Sequence, residues 1–175
     1  ISNCQDGLSR VTLGNFLIKR VVFEIQEELP NIKNFGTLSP IPGFRDWFVN
    51  LDEKLVKNIL GNIPLENISF LKSSSLKIGD TRIISNKNAI YKLVAHYLMN
   101  EKNSKQLPIN DVCRFHLGNG AIIDDIVINA NISEVGFKRS FGVMVNYLYE
   151  LKNIEKNHEE YICLLYTSPS PRDLK

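Results

Sequence analysis

Residues 15–40 read NFLIKRVVFEIQEELPNIKNFGTLSP. Apolar side chains recur at 17, 18, 21, 22, 25 and 29, the spacing of one helical face. Pro30 ends that helix, because proline has no N–H to donate and crowds the preceding turn. Beyond it, NFGTLSP reads as a short buried strand closing at Pro40, and Pro42 with Gly43 forces a turn. Working outward, GFRDWFVN and DEKLVKNIL read as two helices that separate near Asn50, and residues 61–86 as irregular chain with SSS at 73–75. Ser85 or Asn86 can cap a second long helix through NAIYKLVAHYLMNEK, with apolar positions at 90, 93, 94, 97 and 98. VCRFHLGNGAIIDDIVINANI begins as a helix end or loop and becomes a strand after Gly120. A glycine-bearing turn over 134–142 then leads to a last strand in GVMVNYLYEL. This order of elements predicts a mixed α/β (α+β) fold.

Composition narrows the function classes. Lys and Arg total 21 against 19 Asp and Glu, and 43% of the 175 residues are apolar. That balance excludes a disordered chain, a collagen and a nucleic-acid-coating tail. No apolar run approaches the roughly 20 residues a membrane helix needs. Cysteines at 4, 113 and 163 cannot build a disulfide scaffold and point to a reducing compartment. The chain opens at Ile1, so it is expected to be the interior of a longer protein, with any targeting signal upstream. Residues 163–173, CLLYTSPSPRD, resemble a translated sequencing-library adapter. Residues 163–175 are therefore expected to be such an artefact and no part of a domain.

Three groups of residues have chemical content. The first is SRVTLGN, Ser9 to Asn15, at the entry to the first helix. A helix N-terminus offers unpaired N–H groups and partial positive charge. Arg10 and Lys19 add positive charge, Gly14 permits close approach, and no Asp or Glu occurs between Leu8 and Phe23. An anion site and a plain glycine-entered helix both fit this pattern. The second is TLSPIPGF, residues 37–44, which displays Ser39 at the end of a strand stiffened by two prolines. Ser39 reads as a held reactive hydroxyl or as a turn cap. The third is FHLGNGA, residues 115–121, with NYLY at 146–149. His116 can carry a proton near neutral pH, whereas His96 lies mid-helix and His158 in a charged stretch. Cys113 and His116 form one C-x-x-H pair, too little to specify zinc. Tyr147 and Tyr149 share a strand face, as core aromatics or as substrate-orienting groups.

Taken together, GLSRVTLGNFLIKRVV, TLSPIPGF, FHLGNGA and VNYLY resemble the malonyl-CoA decarboxylase family, in its order and spacing, across roughly residues 7–150. The resemblance implies that residues 1–162 are part of that catalytic domain, the later portion of a GNAT-like acyl-CoA-binding fold, and that this segment alone is inactive. It implies that Ser9, Arg10, Val11, Thr12, Leu13, Gly14 and Asn15 form the malonyl-CoA loop, that Ser39 and His116 are catalytic, and that Tyr149 lies near the substrate. Thr12 departs from the pattern, since some members carry an acidic residue there. The implied activity is that of a carbon–carbon lyase releasing acetyl-CoA and CO2 and so controlling malonyl-CoA levels in fatty-acid metabolism. It implies no metal and no cofactor beyond the coenzyme A of the substrate. No nucleic-acid or membrane partner is expected, and the full-length protein is expected to be a homo-oligomer. The compartment is expected to be the cytoplasm or a mitochondrial or peroxisomal matrix. A GNAT-type CoA-dependent acyltransferase and a non-enzymatic CoA-binding domain remain alternative readings of the same residues.

Overall fold

The computed structural model describes residues 13–164. Ser9, Arg10, Val11 and Thr12 of the predicted loop, and the adapter-like segment from residue 165 onward, lie outside the described residues. Helix α1 (Leu13–Glu28) leads to strand β1 (Phe35–Pro40). Helices α2 (Phe44–Val49), α3 (Glu53–Leu60) and α4 (Glu66–Ser69) follow, then a 3-10 turn at Phe70–Lys72, α5 (Thr81–Ser85) and α6 (Lys87–Met99). The chain continues through α7 (Asp111–Gly118), β2 (Ile122–Val127), α8 (Glu134–Ser140), β3 (Met144–Tyr149) and α9 (Ile154–Leu164). The mixed α/β expectation holds: helices surround an antiparallel sheet in the order β1-β3-β2.

The core forms where α6 meets α2 and the sheet. Ile90, Leu93, Val94, Tyr97 and Leu98 of α6 are buried, as their helical spacing requires. Ile41, Phe44, Phe48, Phe141 and Val145 join them at 0–1% exposure. Each such side chain contributes about 1.5–3 kcal/mol relative to an exposed one. In β3, alternation buries Val145, Tyr147 and Tyr149 on one face. The register places Ser39 opposite Val145 and Thr37 opposite Tyr147 on that face.

The structure corrects three local expectations, for β1, α7 and α8. β1 is an edge strand in which Ser39 alone is buried and Leu38 is half exposed, so it is not a buried strand. The apolar stripe of α1 is helical as its spacing predicts; among its described side chains Val22 is buried and Ile18 packs partly against the core, whereas Val21, and Leu29 just past the helix end, remain exposed. The segment read as a helix end or loop is the two-turn helix α7. The segment read as a turn, 134–142, contains helix α8, capped by Ser133, whose hydroxyl accepts from the Gly136 N–H.

Two backbone fixtures position α7 and the end of β1. Gly120, which follows α7, has φ +79°, and a Cβ there would stand 2.1 Å from the Ile154 carbonyl oxygen, so only glycine fits. Asn110 does more. Its Oδ1 accepts from the Cys113 N–H at 2.8 Å, capping α7, while its Nδ2 donates to the Pro42 carbonyl at 3.0 Å. One buried carboxamide thus joins the turn after Ser39 to the helix that carries His116. The Tyr97 hydroxyl donates to the same Pro42 carbonyl at 3.0 Å. Asn110→Ala in the full-length protein is expected to cost about 2–3 kcal/mol, the loss of a cap plus a buried hydrogen bond. Asn110→Ser keeps a capping oxygen and is expected to recover about 1 kcal/mol of that. Denaturant unfolding of the three proteins checks the order.

Candidate active site

Ser39 and His116 are 77 residues apart in sequence, and their side chains meet: Ser39 Oγ lies 3.0 Å from His116 Nε2. Each is only 7% exposed. Ser39 is placed at the end of β1 just ahead of the Pro40–Gly43 turn. Gly43 has φ +80°, and a Cβ there would meet the Tyr97 hydroxyl at 2.8 Å. His116 projects from the last turn of α7 onto the sheet, where its ring stacks on Tyr147 with centroids 4.3 Å apart and planes 18° apart. On the far side of the imidazole, the Tyr149 phenolic oxygen lies 2.7 Å from Nδ1. Ser39 Oγ also lies 3.2 Å from Thr37 Oγ1.

The proton inventory orders these contacts. Burial pushes the His116 imidazole down to about 4, so near neutral pH it carries one N–H and one acceptor nitrogen. The C-terminal end of a helix favours an imidazolium by about 0.3–2 kcal/mol, but desolvation opposes the charge more strongly here. Burial also raises Tyr149 well above the usual phenol range, so its hydrogen stays in place. A buried hydroxyl that donates to nothing is costly. The arrangement that matches the three buried donors has Tyr149 donating to Nδ1, Nε2–H donating to Ser39 Oγ, and the Ser39 hydroxyl donating to Thr37 Oγ1.

This line of groups stands on the wall of a cleft of about 1050 Å³ bounded by α1, β1 and α7. Ile18, Val22 and Ile25 of α1 face Phe35 of β1 and Phe115 of α7 across it. The described part of the α1 stripe therefore lines a cleft, with Ile18 also packing against the edge of the core. Ser39, His116 and Tyr149 all reach the cleft. Cys113, on α7 with His116, is buried and pushed up to about 11 by desolvation, and its thiol donates to the Leu98 carbonyl at 3.9 Å. Among the described residues no group of three His, Cys, Asp or Glu side chains could hold a metal ion. None of their helices is long and apolar enough to cross a membrane.

Of the residues singled out in the sequence, the structure brings together Ser39, His116 and Tyr149. Leu13, Gly14 and Asn15 form the first positions of α1. His158 lies elsewhere, donating from Nδ1 to the Gly118 carbonyl at 2.6 Å and tying α9 to α7. Thr37 and Asn110 were not anticipated as parts of the site. The available signal for Thr37 was its i, i+2 spacing from Ser39 on one strand.

The malonyl-CoA decarboxylase C-terminal domain family matches residues 1–167. Malonyl-CoA decarboxylase, mitochondrial, of Anser anser anser is 34% identical over 180 residues, which cover 93% of this chain and 36% of that protein. The Mus musculus protein of the same name is 35% identical over the same shares. The crystal structure of malonyl-CoA decarboxylase from Rhodopseudomonas palustris superposes with a TM-score of 0.80 at 36% identity, covering 95% of this chain and 38% of that one. The enzyme from Agrobacterium vitis gives 0.79 at 35% identity, over 97% of this chain and 42% of the other. The chain spans little more than a third of the length of the curated relatives it matches. With sequence and fold agreeing over nearly its whole length, the chain belongs to the malonyl-CoA decarboxylase C-terminal domain family.

Proposed function

We propose that the protein containing this chain converts malonyl-CoA to acetyl-CoA and CO2, with Ser39 and His116 acting as one catalytic unit. The observation that carries the reading is the buried Tyr149–His116–Ser39 line opening onto an apolar cleft. In this reaction the bond between C2 and the carboxylate breaks, and its electron pair passes into the thioester as an enolate. CO2 leaves uncharged. The thioester itself supplies the electron sink. What remains for the protein is to hold the carboxylate out of the thioester plane, stabilise the enolate oxygen and deliver a proton to C2.

Ser39 turns its hydroxyl from Thr37 toward the substrate. A donor aimed at the developing oxyanion contributes about 3–4 kcal/mol. His116 supplies the proton: Ser39 gives its hydrogen to C2 as it takes one from Nε2, and Nδ1 is replenished by Tyr149. Tyr149 in turn recovers a proton from water in the cleft, and the hydroxide left behind combines with the released CO2 as bicarbonate or leaves to solvent. Carbon next to a thioester is a far weaker acid than a phenol, so each transfer runs toward C2. A neutral imidazole suits this role because a proton enters at one nitrogen as another leaves. The apolar cleft lowers the local dielectric and so strengthens each of these interactions.

Ser9 to Asn15 would hold the coenzyme A pyrophosphate at the start of α1, where unpaired N–H groups converge. Removing malonyl-CoA in this way would set its level for fatty-acid metabolism. Coenzyme A belongs to the substrate, and the mechanism calls on no separate cofactor.

Incubating the full-length protein with malonyl-CoA and no acceptor tests the reading. Release of acetyl-CoA is expected; an acyltransferase or a CoA-binding domain would release none. Ser39→Ala and His116→Asn are each expected to lower turnover about 10²-fold or more. The double variant should be little worse than the poorer single one, because groups in one relay are not additive. Fully multiplicative losses would assign them independent roles.

A further inference from the structure

Among the described residues, Thr37 is the side chain besides His116 that hydrogen-bonds Ser39. Its Oγ1 lies 3.2 Å from Ser39 Oγ, and both residues line the cleft. Strand alternation puts the two on one face, and the register sets Thr37 opposite Tyr147, whose ring supports His116. Thr37 therefore stands beside the Ser39–His116 contact without touching the imidazole through any hydrogen bond of its own.

A serine hydroxyl has one hydrogen and rotates freely unless something accepts it. Its direction decides which way the adjacent imidazole is protonated. If the Ser39 hydrogen turns onto Nε2, that nitrogen must be the acceptor, the ring proton sits on Nδ1, and the Tyr149 hydrogen loses its acceptor. If the Ser39 hydrogen is taken elsewhere, Nε2 keeps its proton and all the buried donors are matched. Thr37 Oγ1 takes it. A β-branched residue is also stiff at χ1, so the acceptor stays where it is.

We infer that Thr37 is a positioning residue that sets the direction of the Ser39 hydroxyl and, through it, the protonated nitrogen of His116. The inference rests on the Ser39–His116 unit proposed above. Thr37 holds the Ser39 hydrogen in the substrate-free site and releases it when a substrate oxygen arrives. Ser39 thereby remains an acceptor toward Nε2–H and a donor toward the cleft.

Thr37→Val and Thr37→Ser in the full-length protein test it. Valine keeps the shape and the strand preference but removes the acceptor. It is expected to lower kcat about 5–10-fold with KM within about twofold, the pattern of lost orientation. Thr37→Ser restores the oxygen and is expected to recover kcat to within about twofold of the parent. Thr37→Ala, which also lacks the acceptor, must agree in sign with valine. Nitrogen-15 shifts of the His116 ring without substrate give a readout that needs no turnover. The parent and Thr37→Ser should hold the proton on Nε2, and Thr37→Val should move population toward Nδ1. Unchanged ring shifts or an unchanged kcat in Thr37→Val would overturn the assignment. A parent that left malonyl-CoA intact would instead overturn the decarboxylase reading, and the ring shifts would still decide the role of Thr37.

Discussion

The carboxamide of Asn110 holds two distant pieces of chain in register. It caps α7 through its oxygen and grips the Pro42 carbonyl through its nitrogen. The first contact fixes where the helix begins and hence the azimuth of His116 two turns later. The second fixes the turn that ends β1 and hence the height of Ser39. Either contact contributes about 1 kcal/mol on its own. Their joint consequence is geometric: a 3.0 Å approach between residues on different elements needs both elements anchored to one point. Pro40 and Gly43 serve the same end, since a stiff turn transmits the anchor to Ser39 with little slack.

Around that approach the environment withholds charge. His116 sits where a helix terminus would favour an imidazolium, yet burial against Tyr147 and beneath β1 brings its pKa from 6.5 to about 4. The difference corresponds to about 3 kcal/mol in favour of the neutral ring, more than the helix end offers. Tyr149 and Cys113 are shifted by burial in the sense that keeps their protons on. The site is a line of neutral groups that differ in which neighbour they donate to, and its chemistry lies in the direction of hydrogens.

Much of this was legible in the sequence, unevenly. The face of α6 followed directly from its spacing because positions 90, 93, 94, 97 and 98 all enter the core. The α1 stripe had the same period but another destination; periodicity reports that a face is apolar, not whether a core or a cleft receives it. α7 hid its helical character because it is two turns long and puts a histidine on its buried face. α8 looked like a turn because of Gly136, yet that glycine admits the Asn131 side chain, which a Cβ would meet at 2.2 Å. Ser39, His116 and Tyr149 were flagged by their motifs. Thr37 and Asn110 act through a neighbouring hydroxyl and a backbone carbonyl; the i, i+2 spacing of Thr37 marks a face shared with Ser39 but not that role, and the spacing of Asn110 from Pro42 marks nothing.

Everything in the site turns on His116 being a neutral ring locked between Tyr149 and Ser39 with its proton on Nε2. Nitrogen-15 NMR of the His116 ring in the full-length protein, followed from pH 8 to pH 4, measures this directly. One pyrrole-type nitrogen at Nε2 and one pyridine-type nitrogen at Nδ1 are expected, unchanged from pH 8 to about pH 5.5, with protonation centred at about 4. Interconverting tautomers with a midpoint near the ordinary histidine value of about 6.5 would contradict this.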